Sequence, residues 1–239
     1  MAGKYTKRFD GRKMNETRPI VAKAGVIKNA DGSAYFKIGD TIAYAAVYGP
    51  REVFPRFMQN PTKGILRVNY NMMAFSGPGE RNRPGPNRRA KEISLVSEKA
   101  LLPVLDLEKY PNTVIDVYIE LPQTDAGSRC AGISAASIAL ADAGVEMKDM
   151  VPAVAVGMVG DTPVVDLSYH EEQPGDDMET VDIPIAMVPS TGEVTLLQMD
   201  GITNKDSILK VIELAKDACV VIAETQRAAL REKYAGESK

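Results

Sequence analysis

Residues 124–129, Thr124-Asp125-Ala126-Gly127-Ser128-Arg129, join a strand-like run, 113–121, to a helix of small residues, 130–143. A strand that closes on Gly-Ser and passes straight into a helix leaves the first helical N–H groups without intrachain partners. They converge on one point, where the helix dipole adds partial positive charge. With the Arg129 guanidinium and the Ser128 hydroxyl beside it, the junction is suited to phosphate. Taken alone, the same residues also describe a capped helix start with Ser128 as N-cap. The rest of the chain decides between the two.

Upstream, residues 20–27, 33–38 and 41–48 read as short strands separated by Asn29-Ala30-Asp31-Gly32 and Gly39-Asp40, which predicts an antiparallel meander. Residues 64–74 predict a further strand and 75–87 a Gly/Pro/Arg loop. Apolar residues at 93, 95, 96, 100, 101, 102 and 105 give 90–105 a helical face, with Pro103 at its fraying end. Downstream, 153–159 and 163–167 predict a hairpin around Gly160-Asp161, 181–188 pairs with 193–199, and 205–234 forms a long terminal helix. This order describes an α+β chain of two packed, pseudo-repeated βαβα halves with mixed sheets. No linker composition separates the halves, so residues 1–239 read as one domain with a basic N-terminal arm, 1–18.

A hydrophobic content of 44% is ordinary for a soluble globular chain. No apolar run reaches the length of a membrane span and the N-terminal arm has no apolar signal core, so no membrane association and a cytoplasmic location are expected. Cys130 and Cys219 sit in apolar, helix-like settings that predict buried thiols. His170, the one histidine, falls in a polar loop, which disfavours triad chemistry.

Net charge is only −3, but it is unevenly spread. Residues 1–28 carry eight Lys and Arg against two acids, and 51–91 carry nine against two. Residues 161–182 carry eight carboxylates and no Lys or Arg. Such a division suits a polyanion track leading to a carboxylate site, with a divalent cation between them. Solvated faces that balance one another are the competing explanation.

Two more groups carry candidate chemistry. Arg88-Arg89 stands where the Gly/Pro loop enters a helix; two guanidiniums there oppose the helix dipole, a local cost that a bound phosphate would offset. Asp176 and Asp182 lead into the apolar run Ile183-Pro184-Ile185-Ala186-Met187. A partly desolvated carboxylate can act as a general acid while a second binds Mg²⁺. Asp177 and Glu179 lie in the same run, so spacing alone leaves the assignment open there. Residues 171–175 read as an acidic, solvated loop.

Arg8-Phe9-Asp10-Gly11-Arg12, residues 28–34, Ala46-Val47-Tyr48-Gly49-Pro50, Asn87-Arg88-Arg89, Asp125-Ala126-Gly127-Ser128-Arg129, residues 137–144 and 182–187 together resemble the RNase PH superfamily. Within it, they are most similar to the catalytic RNase PH-type subunit of the archaeal exosome. The resemblance runs from about residue 8 to the terminal helix. It implies an RNase PH-type fold and a phosphorolytic 3′→5′ exoribonuclease that releases nucleoside diphosphates with inorganic phosphate as co-substrate, reversible as an RNA-tailing polymerase. It also implies a hexameric ring in which three such subunits alternate with three inactive RNase PH-type paralogues beneath RNA-binding cap proteins.

By resemblance, Gly127, Ser128 and Arg129 match the phosphate loop, and Arg88 and Arg89 the pair contacting phosphate and the RNA 3′ end. Asp176 and Asp182 match the catalytic carboxylates and the holders of Mg²⁺ or Mn²⁺. The 168–177 loop is a few residues longer than the family pattern, leaving Asp177 as an alternative to Asp176. Arg67 matches a basic position near the RNA path, while Asn69 stands where a second Arg often occurs. The expected mechanism threads single-stranded RNA past Arg56, Lys63 and Arg67. Arg89 and the 127–129 loop hold phosphate, Asp176 protonates the leaving 3′ oxygen, and Asp182 holds metal or orients Asp176. Two rivals are a non-catalytic RNA-binding ring subunit and a small-molecule kinase, the latter from the Gly/Ser/Ala-rich run 127–136.

Overall fold

The computed structural model describes residues 5–78, 81–83, 87–173 and 179–236. Asp176 and Asp177 lie outside the described residues, as do parts of the predicted 75–87 loop. Strands β1 (Ile20–Ala24), β2 (Gly32–Ile38) and β3 (Thr41–Glu52) form the predicted antiparallel meander. Strand β4 (Ile65–Met72) joins helix α1 (Arg88–Leu101), β5 (Thr113–Gln123) and helix α2 (Ser128–Asp142) to complete the first half. The sheet order is β1-β2-β3-β5-β4, with β4 and β5 parallel and every other pair antiparallel. Both parallel strands therefore end on the same side, and that side carries the Thr124–Arg129 junction.

The second half is an antiparallel sheet of order β7-β6-β8-β9, made of β6 (Ala153–Val159), β7 (Thr162–Val165), β8 (Thr180–Val188) and β9 (Glu193–Leu197). A four-residue helix α3 (Tyr169–Glu172) precedes β8, and α4 (Lys205–Gly236) closes the chain. Helix α2 is apolar or small around its whole circumference and nearly all of it is buried, as expected of a helix enclosed on every side. It packs on β2, β3 and β5 of one sheet and on β6 and β8 of the other, so one core runs through both halves. Both cysteines are free and buried within that core, as predicted.

Two sequence expectations change. The acidic loop at 171–175 is not solvated throughout: of its described residues, Glu171 is buried, Glu172 half-buried and Gln173 exposed. Glu171 is fully buried and takes two bonds from Arg8, Nε to Oε1 at 2.8 Å and Nη2 to Oε2 at 2.7 Å, plus the Tyr5 hydroxyl at 2.8 Å. Arg18 likewise is buried, binding both oxygens of Asp166 and reaching Asp125. Arg8, Arg12 and Arg18 of the N-terminal arm are thus spent on the acidic segment rather than offered to a polyanion. Opposite charges brought out of water must pair.

Candidate active site

A cleft of about 390 Å³ opens between the halves. The first half contributes Met72 at the end of β4, Arg89 from α1 and residues 124–129; the second contributes Glu172, Thr180, Asp182 and Asp200. The 124–129 junction is held on several sides. Thr124 N–H donates to the Ser76 carbonyl at 2.7 Å, Arg18 and Thr41 both donate to the Ala126 carbonyl, and Arg18 Nη1 binds Asp125 at 2.6 Å.

Gly127, not Ser128, is the N-cap of α2, and Ser128 is the first helical residue. Gly127 has φ +65°, the left-handed conformation that favours glycine, and a Cβ there would meet Ala155 at 3.3 Å. Its lack of a side chain leaves the α2 amides uncapped and open to the cleft. The Ser128 oxygen accepts from the Tyr70 hydroxyl at 2.9 Å instead of capping the helix. Arg129 is held by the side-chain oxygen of Gln198, whose amide in turn donates to Glu92 at 3.0 Å.

Helix α1 starts with two cations and no acid in its first turn; Asn87 caps it by accepting from Ala90 N–H at 2.7 Å. Arg89 lines the cleft, whereas Arg88 lines an adjoining depression with Arg83 and Tyr70. Asp182 sits on β8, paired with Gly157 on one side and bridged to Asp200 through two backbone bonds of 3.0 and 2.9 Å on the other. Its Oδ1 is buried with no hydrogen-bond partner. Burial, aided by Asp200, pushes the carboxyl to about 6 against the opposing pull of Arg129 and Arg89.

Sequence reading missed Glu172. It is the last residue of α3 and lines the cleft, where burial and the neighbouring Asp182 charge push its carboxyl to about 7 while the Gly127 amide pulls it down. Its neighbour Glu171 holds α3 in place, accepting from Ser168 N–H at 2.9 Å in a capping box as well as from Arg8. The signal available in sequence was a Ser-x-x-Glu box at 168–171, which fixes a helix start and thereby the direction of the next carboxylate. His170 meets Phe9 at a tilt and Tyr169 edge-on, away from the cleft lining.

Of the four predicted RNA contacts, Arg88 adjoins the cleft and Arg67, Arg56 and Lys63 are not in it. Arg67 lies on β4 five residues before Met72, about 16 Å along the strand. It binds the buried Asp116 carboxylate through Nε at 2.7 Å and Nη2 at 2.9 Å, and Arg51 binds the same carboxylate at 2.5 Å. Both guanidiniums hold Asp116 below the usual carboxylate range. Arg56 and Lys63 are exposed at that same far end of the parallel strand pair.

A glycine-capped helix start, two arginines and two perturbed carboxylates thus meet in one cleft, in a chain that resembles known proteins along nearly its whole length. The family described as "3' exoribonuclease family, domain 1" covers residues 16–146, and its domain 2 covers 149–218. The chain belongs to this RNase PH family. The exosome complex component Rrp41 of Methanopyrus kandleri is 50% identical over 230 residues, 96% of this chain and 94% of that one. That of Thermococcus kodakarensis is 51% identical over 228 residues, 95% and 90% of the two chains. A crystal structure of rice (Oryza sativa) Rrp46 superposes with a TM-score of 0.81 at 25% identity, covering 93% of this chain and all of that one. Membership in the RNase PH family leaves no place for the kinase reading. Among the described residues, no helix is long and apolar enough to cross a membrane.

Proposed function

We propose that the chain is the catalytic subunit of an exosome ring and degrades RNA from its 3′ end by phosphorolysis. The observation that carries this is the convergence, in one cleft, of an uncapped α2 N-terminus, Arg89 and Arg129 with the half-buried carboxyls of Asp182 and Glu172. Amides and guanidiniums seat inorganic phosphate in line with the last phosphodiester. A phosphate oxygen bonds to phosphorus, the bond from phosphorus to the 3′ oxygen of the preceding nucleotide breaks, and that oxygen takes a proton. A nucleoside diphosphate leaves. The acceptor is phosphate rather than water, so the reaction is not hydrolysis, and no serine or histidine nucleophile is required.

The proton donor is Asp182 or its neighbour Glu172, both held within reach of protonation near neutral pH. Glu172 is a carboxyl additional to Asp176 of the sequence reading, which lies outside the described residues. Mg²⁺ or Mn²⁺ suits the orphaned Asp182 Oδ1 together with Glu172. No group of three or more acidic, His or Cys residues suited to a metal is found among the described residues, and Mg²⁺ commonly takes one or two carboxylates with phosphates and water. The ion would supply positive charge to the phosphate oxygens.

RNA reaches the cleft from the far end of the β4/β5 pair. There Phe54 and Phe57 are 83% and 87% exposed beside Arg56 and Lys63, a mixture of aromatic and basic groups suited to single strands of any sequence. Exposed Val220 and Val221 on α4, with Leu197 at the end of β9 and Met199 and Ile202 after it, supply apolar surface for ring paralogues, with RNA-binding cap proteins completing the assembly. The test is labelled oligo(A) incubated with the assembled complex, Mg²⁺ and phosphate. Nucleoside diphosphates are expected, and Asp182→Ala abolishes them. An Asp182→Ala chain of undiminished rate would mean a non-catalytic ring subunit.

A further inference from the structure

Tyr70 is 4% exposed, and among the described residues its hydroxyl meets one partner, Ser128 Oγ, at 2.9 Å. A serine hydroxyl offers one hydrogen and two lone pairs. With Tyr70 donating into one lone pair, the Ser128 hydrogen is turned away from Tyr70 and is free for a group in the cleft that Ser128 lines. The phenol keeps its proton for this purpose, since burial raises it against the pull of its Ser128 hydrogen bond and of Arg89 and Arg129.

The ring is fixed as firmly as the hydroxyl. Tyr70 N–H donates to Ser94 Oγ at 2.9 Å, and Ser94 donates to the Ala90 carbonyl in the first turn of α1 at 2.7 Å. On the other side the ring fills the space left by Gly132 in α2, where a Cβ would come within 3.5 Å of it. One side chain thereby ties the start of α1, which carries Arg89, to the start of α2, which carries Ser128 and Arg129.

We propose that Tyr70 is a positioning residue for the attacking phosphate: it orients the Ser128 hydroxyl so that Ser128 donates to a phosphate oxygen. This rests on the phosphorolytic reading of the cleft. The chain of donation runs from Tyr70 to Ser128 to phosphate, and its loss falls on phosphate rather than on RNA.

The test is steady-state phosphorolysis of oligo(A) by the assembled complex, at varied inorganic phosphate and varied RNA, for Tyr70→Phe, Ser128→Ala and the double variant. Tyr70→Phe, which keeps the buried ring, raises the KM for phosphate about tenfold, the size expected for a hydrogen bond to a charged group. The KM for RNA moves less than about twofold, and in the Ser128→Ala background Tyr70→Phe adds nothing further. Equal rises in both constants, or an undiminished effect without Ser128, would overturn the assignment. A second readout needs no turnover: inorganic phosphate should raise the melting temperature of the Tyr70→Phe chain less than that of the unaltered chain, and equal shifts would count against it. An unaltered complex that forms no nucleoside diphosphate refutes the phosphorolytic reading. An active complex indifferent to Tyr70→Phe refutes only the role of Tyr70.

Discussion

Burial pushes the Asp182 carboxyl to about 6 from an ordinary 3.8, and this has a consequence for stability as well as for catalysis. An acid whose folded value is raised costs the fold nothing below its unfolded value. The cost begins as pH rises past the ordinary 3.8, grows until about 6 and is constant above it, because over that span the native state keeps a proton that the unfolded chain has already released. Asp182→Asn therefore stabilises the chain by about 1–3 kcal/mol at pH 8 without added divalent cation. The gain shrinks toward zero near pH 4, while activity falls at least ~100-fold. Denaturant melts at the two pH values check the first part and turnover the second; equal melts at both would show the carboxyl to be relaxed. Arg129→Ala should raise the KM for phosphate far more than that for RNA, and the reverse would return Gly127-Ser128-Arg129 to a structural role. The arginine and glycine parts of the site were legible because their chemistry is local to a loop and a helix start. Glu172 was not, because its burial depends on Arg8 gripping Glu171 from 163 positions away, and a run of acids reads as solvated until its partner is known.

Helix α3 is only four residues long, too short to persist by itself, so its place depends on side chains from elsewhere. Arg8→Met leaves Glu171 buried without its cation and should cost about 3–5 kcal/mol. Because Glu172 follows directly, Arg8→Met should also lower kcat although Arg8 does not line the cleft; a destabilised protein of full activity would separate α3 from the site. Arg8 and the other donors hold Glu171 below its usual value. Its stabilising contribution is therefore complete above pH 4.5 and is lost as pH falls through the depressed folded value, so acid unfolding should begin earlier in Tyr5→Phe. At this scale the strands and the long helices were readable from periodicity and turns. The parallel pairing of β4 with β5 was not, since nothing local in either strand states its partner. The basic arm was misread for a related reason: composition reports charge but not whether opposite charge is folded against it.

Across the whole molecule, α2 lies between two sheets and ends its N-terminus in the cleft where the halves meet, so chemistry depends on both halves keeping register. In the proposed function, RNA is met at a separate place, the far end of β4/β5. Replacing Arg56 and Lys63 by Ala should weaken RNA binding and flatten its dependence on log salt by about 1.4, if each neutralises one phosphate of a single strand. An unchanged slope would move the RNA path elsewhere. Arg67→Ala should instead destabilise the fold, because it strips one of two guanidiniums from buried Asp116. The central claim is that the cleft uses phosphate as its nucleophile, and the most direct measurement is the identity of the released nucleotide. End-labelled oligo(A) is incubated with the assembled complex in Mg²⁺, with and without ¹⁸O-labelled inorganic phosphate, and the products are weighed. The account predicts adenosine diphosphate carrying the labelled oxygens in its terminal phosphoryl group and no release without phosphate. Adenosine monophosphate, formed at the same rate whether or not phosphate is present, would contradict it.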